Sequence, residues 1–120
     1  MKLPKILTMI YENINKSEIK LELYIPPEII YFSGHFHNAP VLPGVVQLEW
    51  VLHFANDYLG INKTDFIHIE QMKFSQIIPP DTKLFLHLTL KENNLIFKYY
   101  NDKAVYSAGK LKDKKLKIKN

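Results

Sequence analysis

One segment of the sequence constrains the fold more than any other. Residues 43–59, PGVVQLEWVLHFANDYL, are apolar on almost every side of a helix, and Gly60 follows them. Pro43 suits the first turn of a helix, where its missing N–H is not needed, and Gly60 suits the position just beyond the last turn. Between positions 45 and 55 the only polar residues are Gln47, Glu49 and His53. A helix of this kind is usually buried, so the sequence predicts one central helix.

The rest of the chain has the pattern of short β-strands. Six segments are predicted as strands: ILTMIYE, IKLELYI, FIHIEQMKFSQII, KLFLHLTL, LIFKYY and AVYSAGKL. NINKSE, PPDT, KENN and NDK have the composition of turns between them. We predict a hairpin from the first two strands and a meander from the last four. One buried helix among about six antiparallel strands predicts an α+β fold in which the sheet wraps around the helix.

Length and charge indicate one domain followed by a basic tail. A chain of 120 residues is long enough for one core and too short for a second domain of ordinary size. Residues 110–120 hold six of the sixteen lysines and one of the twelve acidic residues, so the net charge of +4 belongs to this tail. We predict a single domain over residues 1–110 and a lysine-rich tail over 111–120. The tail is interpreted as a solvated end, with binding of an acidic partner as the alternative.

Composition excludes several classes of site. The chain has no cysteine, which excludes disulfides, a thiol nucleophile and thiolate metal sites. All sixteen basic residues are lysine, so the bidentate arginine contacts that read guanine are missing, and we expect no nucleic-acid partner. No segment has the roughly 20 apolar residues of a membrane span, and the N-terminal residues do not resemble a signal peptide. We therefore expect a cytoplasmic protein.

Polar residues of the predicted helix form a stripe. Glu49, His53 and Asn56 are spaced i, i+4 and i+7, so they share one face. Glu49 lies in the second turn among apolar neighbours. Burying an unpaired carboxylate costs several kcal/mol, so such a group is paired, neutralised or functional. We expect Glu49 to be buried, with all three alternatives open.

The segment GHFHNAPVLPGVVQLE, residues 34–49, resembles the active-site signature of the FabA/FabZ 3-hydroxyacyl-ACP dehydratases. Their pattern is G-H-F-P-x-x-P-V-x-P-G-V followed by an acid in the helix, and here fourteen positions separate His35 from Glu49. The YF before the segment and the QLEW that closes it resemble the ApeI-like branch, which is associated with aryl polyene biosynthesis. This resemblance implies a hotdog fold, an antiparallel sheet of about six strands around one long helix.

The resemblance also implies site residues. His35 matches the catalytic histidine, Glu49 the catalytic acid, and Gly44 the glycine whose backbone N–H binds the thioester carbonyl. Dehydration of (3R)-3-hydroxyacyl-ACP to trans-2-enoyl-ACP requires a base for the α-proton and an acid for the leaving hydroxyl. The amide of Gly44 and the positive end of the helix would stabilise the enolate oxygen, and a glycine lets the substrate approach the backbone closely.

Partners are implied in the same way. The substrate would arrive on the phosphopantetheine arm of an acidic acyl carrier protein, with no separate cofactor. A homodimer is implied, with the histidine from one subunit and the acid from the other. We add the hypothesis that the tail lysines Lys112, Lys114, Lys115 and Lys117 help to recruit the carrier by charge complementarity.

Two positions depart from the family pattern. His37 stands where the family has proline, and His53 stands where many members have glutamine. His35 and His37, together with Glu49 or His53, would be a possible set of metal ligands. We expect no metal, because the resemblance already explains the spacing.

The remaining candidates have general roles. Residues of the core or of an acyl tunnel are Tyr31, Phe32, Phe36, Leu48 and Trp50, and Trp50 is a candidate tunnel cap that would favour short or conjugated chains. Gln47, His68 and His87 have no role that the sequence assigns.

Two other functions stay open. A hotdog thioesterase would use Glu49 to activate water and would not need His35. A non-catalytic subunit would only bind acyl-ACP, although the presence of both His35 and Glu49 argues against it.

Overall fold

The computed structural model describes residues 3–12, 17–27, 42–66 and 68–113. The elements in chain order are β1 (Lys5–Glu12), β2 (Glu18–Ile25), α1 (Gly44–Leu59), a short 3₁₀ helix (Lys63–Asp65), β3 (His68–Phe74), β4 (Thr82–Lys91), β5 (Asn94–Tyr100) and β6 (Val105–Lys112). All six predicted strands and the predicted helix are therefore confirmed. The helix begins at Gly44, one residue later than predicted, and Pro43 is its N-cap.

The six strands form one antiparallel sheet in the order β1-β2-β4-β5-β6-β3. The β1–β2 hairpin is confirmed, and β4, β5 and β6 follow one another as a meander. The turn between β4 and β5 has positive φ at both Glu92 (52°) and Asn93 (70°). This is the pattern of a type I′ turn, whose twist suits a two-residue hairpin.

The position of β3 differs from the prediction. β3 does not lead into the meander but pairs with β6 at the far edge of the sheet. The reason is the connection after it, residues 75–81, which is longer than a hairpin turn. The amide of Ser75 donates to the carbonyl of Tyr106 beside β3, and the amide of Asp81 donates to the carbonyl of Ile25 at the end of β2. The connection thus carries the chain from one side of the sheet to the other.

The core lies between the sheet and one side of α1. Alternate residues of the central strands point to the helix and are fully or almost fully buried: Ile19, Leu21, Leu23 and Ile25 in β2, Leu84, Leu86 and Leu88 in β4, and Leu95, Phe97 and Tyr99 in β5. Removing this apolar surface from water is the main force that holds the helix on the sheet. The architecture is the predicted α+β arrangement.

Residues at the carboxyl end of α1 close the helix as predicted. Gly60 has φ 70°, a left-handed conformation that glycine adopts at little cost. The side-chain amide of Asn56 donates to the carbonyl of Ile61 at 2.7 Å and so continues the hydrogen bonding past the helix end. None of the described helices is long and apolar enough to cross a membrane.

The domain extends past its predicted boundary. Strand β6 continues to Lys112, Leu111 is buried in the core, and the amide of Asp113 donates to the carbonyl of Asn93 at 3.0 Å. A boundary at residue 110 is therefore too early, because the last residues of β6 are needed to pair with the start of β5. Residues 114–120 of the predicted tail, with Lys114, Lys115 and Lys117, lie outside the described residues.

Candidate functional site

The amino-terminal end of α1 is held from two sides. The amide of Leu42 donates to the carbonyl of Ile78 at 3.0 Å, and the carbonyl of Pro43 accepts the amides of Val46 and Gln47, each at 3.1 Å. No described side chain caps the first turn, and that turn contains no acidic residue. The first amides of a helix have no partner within the helix. The N–H of Gly44 thus belongs to the positive end of an uncapped helix, which favours a negative oxygen.

Gly44 has a packing role in addition to the predicted one. The ring of Phe74 lies over it, so a Cβ at position 44 would be 2.6 Å from the Phe74 Cζ atom. An open pocket of about 380 Å³ adjoins this point and is lined by Leu42, Gly44, Gln47, Phe74 and Ile77, among others. Any larger residue at position 44 would push the Phe74 ring aside and enter the approach to the helix end.

Glu49 is exposed, so the prediction that it is buried is wrong. The sheet covers only one side of α1, and buried helix residues lie on that side: Val46, Gln47, Trp50, Val51, Phe54, Ala55 and Leu59. Among the described residues of the helix, several on the opposite side are exposed. Val45 is 68% exposed there although it is apolar, and Asn56 is exposed as well. We call Val45, Glu49, His53 and Asn56 the open stripe of α1.

His53 lies one turn after Glu49 on the open stripe. Its Nε2 atom is 3.2 Å from Oδ2 of Asp57, and its ring packs edge-on against Phe54 with centroids 5.3 Å apart. The predicted alignment of Glu49, His53 and Asn56 is confirmed by the helix from Gly44 to Leu59. The position where many family members have glutamine therefore holds an imidazole that is oriented by a carboxylate.

Gly44 and Glu49 do not face the same way within one chain. Five residues of helix correspond to a rotation of about 140° beyond one full turn and a rise of about 7.5 Å. Gly44 contacts Phe74 of the sheet edge, whereas Glu49 lies on the open stripe. A single chain therefore presents Gly44 and Glu49 on different sides of one helix.

A buried polar cluster lies beneath the helix start and was not predicted from the sequence. Gln47 is only 3% exposed, and its side-chain amide donates to the carbonyl of Leu42 at 3.2 Å. Its side-chain oxygen accepts the hydroxyl of Ser107 at 2.7 Å, and its backbone carbonyl accepts the hydroxyl of Tyr99 at 2.7 Å. Burial raises the pKa of Tyr99 well above its ordinary value, so this hydroxyl keeps its proton and donates. The available signal was a lone glutamine on the buried side of the helix.

Comparison with known proteins decides the family. The family model of the ApeI-like group, described as ApeI dehydratase, matches residues 11–110. This chain belongs to the ApeI-like family. The resemblance drawn from residues 34–49 is confirmed, and with it the assignment to the ApeI-like branch of the FabA/FabZ-type dehydratases.

A curated relative of the ApeI-like chain is the 3-hydroxyacyl-[acyl-carrier-protein] dehydratase FabZ of Buchnera aphidicola subsp. Acyrthosiphon pisum. The two are 35% identical over 79 residues, covering 57% of this chain and 52% of the relative. The chain thus spans about half the length of the curated relatives that it matches.

Solved structures resemble the ApeI-like chain along most of its length. The dehydratase heterocomplex ApeI:P from Xenorhabdus doucetiae is 34% identical with a TM-score of 0.77, covering 92% of this chain and 97% of that one. An uncharacterised protein from Erwinia carotovora subsp. atroseptica is 34% identical with a TM-score of 0.76, covering 92% and 95%. The dehydratase domain of PpsC from Mycobacterium tuberculosis, 16% identical with a TM-score of 0.67, covers 94% of this chain and 45% of that one and shares the fold alone. The hotdog fold is confirmed.

Several predicted site residues lie outside the described part of the ApeI-like chain. His35, His37, Tyr31, Phe32 and Phe36 are among them, and the role of His35 stays a prediction. Within the residues that the structure describes, no three His, Asp or Glu side chains converge in a way that would hold a metal ion.

The other singled-out residues have structural surroundings. Trp50 is fully buried in the core, and Leu48 packs against the core. Nε2 of His87 lies 2.6 Å from Oε2 of Glu18, and Nε2 of His68 lies 3.2 Å from Oε2 of Glu70. Both histidines are thus side chains of strands paired with a carboxylate, away from the helix start.

Proposed function

We propose that this protein dehydrates (3R)-3-hydroxyacyl-ACP to trans-2-enoyl-ACP. The observation that carries the proposal is the uncapped start of α1 at Gly44, which opens onto a pocket while the same helix presents Glu49 on its free side. Membership of the ApeI-like family supports it, as does the likeness to a FabZ dehydratase. The family supports a lipid pathway of the aryl polyene type, and the FabZ relative supports fatty-acid biosynthesis.

The chemistry assigns one step to each residue. His35 takes the α-proton of the 3-hydroxyacyl thioester, and the electron pair of that C–H bond moves toward the thioester carbonyl. The N–H of Gly44 stabilises the charge that develops on the carbonyl oxygen. Glu49 donates a proton to the 3-hydroxyl as its C–O bond breaks, so that water leaves and the double bond forms. No atom from a cofactor is required.

We propose further that two copies of the chain complete each site, with His35 and Gly44 from one copy and Glu49 from the other. The separation of Gly44 and Glu49 around the helix supports this arrangement. Exposed apolar side chains near the helix start and along β3 also support it: Val45 (68%), Ile69 (49%), Phe74 (49%) and Ile77 (61%). A second copy placed here would cover this surface. β3 is also the last strand of the described sheet, so its outer edge can be covered in the same contact.

Mass spectrometry of the carrier tests the proposed reaction. The protein is incubated with 3-hydroxyacyl-ACP of several chain lengths, saturated and conjugated, and we expect the carrier-bound acyl group to lose the mass of one water. Faster reaction of the saturated acyl chains then indicates fatty-acid biosynthesis, and faster reaction of the conjugated acyl chains indicates the aryl polyene type. Release of free acid would instead indicate the thioesterase, and an unchanged acyl group on every carrier would indicate a binding subunit. A control with Glu49→Gln shows whether the loss of water needs this site.

The carrier-binding surface is proposed to lie on the outer face of β5, β6 and β3. Lys98 in β5 and Lys73 in β3 flank Ala108 in β6, and Lys110 in β6 lies one row further along the sheet. A groove of about 470 Å³ runs between these three lysines. Their positive charge fits the acidic carrier that the family resemblance implies. This surface extends the hypothesis about the tail lysines onto the described fold.

Charge reversal tests this surface against a matched control. The double variant Lys73→Glu/Lys98→Glu should raise KM for carrier-linked substrate by about tenfold at low salt, with a smaller effect at high salt. KM for the same acyl group on pantetheine alone should not change. The control Lys5→Glu reverses one lysine instead of two and lies in β1, roughly 19 Å across the sheet from β6. Equal effects of the two variants would exclude a localised carrier site.

A further inference from the structure

The side-chain amide of Gln47 is held in a single orientation. The hydroxyl of Ser107 donates to its oxygen, so its nitrogen is directed to the carbonyl of Leu42. Ser107 is fully buried and belongs to β6, so the Gln47 side-chain amide is anchored to the sheet. Every buried side-chain N and O among the described residues has a hydrogen-bond partner. A fully satisfied buried network of this kind restricts the groups that it contacts.

The carbonyl that Gln47 holds lies only two residues before Gly44. It fixes the peptide plane between Leu42 and Pro43. The proline ring restricts the next torsion, and φ of Pro43 is −62°. Only ψ of Pro43 then separates this plane from the plane that carries the Gly44 N–H. The backbone amide of Gln47 donates to the Pro43 carbonyl at 3.1 Å and so restrains that second plane.

We propose that Gln47 is a positioning residue that sets the direction of the Gly44 N–H. Gln47 restrains the two peptide planes that flank Pro43. Its side-chain amide donates to the carbonyl of Leu42, and its backbone amide donates to the carbonyl of Pro43. This inference rests on the proposed function, because Gly44 matters as the donor to the thioester oxygen. If the Gly44 N–H already points to the thioester oxygen before the reaction begins, it does not have to reorient as charge develops on that oxygen.

The substitution Gln47→Met tests the role, because methionine has a similar length but can make neither side-chain hydrogen bond. We expect kcat to fall on the order of tenfold, a part of the loss that follows outright removal of an oxyanion donor, while KM changes less than about twofold. Leu95→Val is the control, since it also weakens packing at a buried position but lies about 13 Å along β5 from Tyr99. It should lower the melting temperature and leave kcat unchanged.

A second readout does not depend on activity. The chain has four glycines, so labelling with ¹⁵N-glycine gives few backbone resonances, and the substitution Gly44→Ala identifies the one from Gly44. In Gln47→Met we expect the Gly44 resonance to shift while that of Gly60, at the other helix end, stays in place. A wild-type protein that dehydrates no substrate would overturn the proposed function, and the Gly44 resonance would still test the positioning role.

Ser107→Ala covers the case in which Gln47→Met does not fold. It keeps the glutamine but removes the hydroxyl that orients it. We expect kcat to fall by about threefold and the Gly44 resonance to shift less than in Gln47→Met. A folded variant of either kind with unchanged kcat and an unchanged Gly44 resonance would overturn the inference. A lower melting temperature with both readouts unchanged would do the same, because it would show a structural role only.

Discussion

The two sides of α1 differ in nearly every physical respect. The side facing the sheet is closely packed and includes Trp50, Val51 and Ala55, all fully buried. The open stripe presents a carboxylate, an imidazole and an exposed valine within the same four turns. One helix thus separates the side chains that stabilise the fold from Glu49, the side chain proposed as the proton donor. Substitutions on the first side should change stability with little effect on rate, and substitutions on the second should do the opposite.

Gln47 is the exception to this division. It lies on the buried side, yet its hydrogen bonds reach the backbone that precedes Gly44. Gln47 differs from the other buried residues of the helix in its surroundings. Trp50 and Val51 lie in the core, whereas Gln47 adjoins the pocket at the helix start. The site is therefore supported from the buried side of the helix at its first turn.

The largest expected effect is on the open stripe. Glu49→Gln keeps the shape of the side chain but removes the proton donor, so the dehydration rate should fall by about 10²- to 10⁴-fold. The free energy of unfolding should change by less than about 0.5 kcal/mol, because Glu49 is exposed. Carrier mass spectrometry and urea unfolding measure the two quantities. A large loss of stability with the rate retained would reverse the assignment of the two sides.

The next effect is on the buried side. Trp50→Ala should lower the free energy of unfolding by about 3–5 kcal/mol, because it removes a fully buried indole and leaves a cavity. The kcat of the protein that remains folded should stay within about twofold of the wild type. A fall in kcat comparable with that of Glu49→Gln would contradict a purely structural role for this residue.

The smallest expected effects come from two adjacent valines, one on each side of the helix. Val46 is 6% exposed and Val45 is 68% exposed. Val46→Ala should lower the free energy of unfolding by about 1–2 kcal/mol, since it removes two buried methyl groups. Val45→Lys should leave the fold intact and raise the dissociation constant of the proposed dimer by about tenfold, which sedimentation measures. Equal sedimentation of wild type and Val45→Lys would exclude this stripe from the contact between copies.

Local pattern predicted the elements well because helices and strands have different periods. Pro43 and Gly60 bracket the observed helix within one residue, and the alternation in IKLELYI matches the buried residues of β2. The partner of β3 was not predictable in this way. It depends on how residues 75–81 cross between the sheet and the helix start, and that path is fixed by hydrogen bonds to distant residues.

The candidate site was predictable in part. The family pattern located Gly44 and Glu49 on one helix, but an apolar helix does not reveal which of its sides this chain covers. Glu49 was therefore predicted to be buried, whereas the sheet leaves its side open. The role of Gln47 was missed for a different reason. Its partners Tyr99 and Ser107 are 52 and 60 residues away in the sequence, so only the folded chain brings them together.

Mixing two inactive variants tests most directly the claim that each site is shared between copies. His35→Ala and Glu49→Gln are each expected to be inactive as homodimers. When they are co-refolded in equal amounts, half of the dimers are mixed, and each mixed dimer has one intact site. We predict recovery of about a quarter of the wild-type rate. No recovery, in a sample where native mass spectrometry shows mixed dimers, would contradict a site built from His35 of one copy and Glu49 of the other.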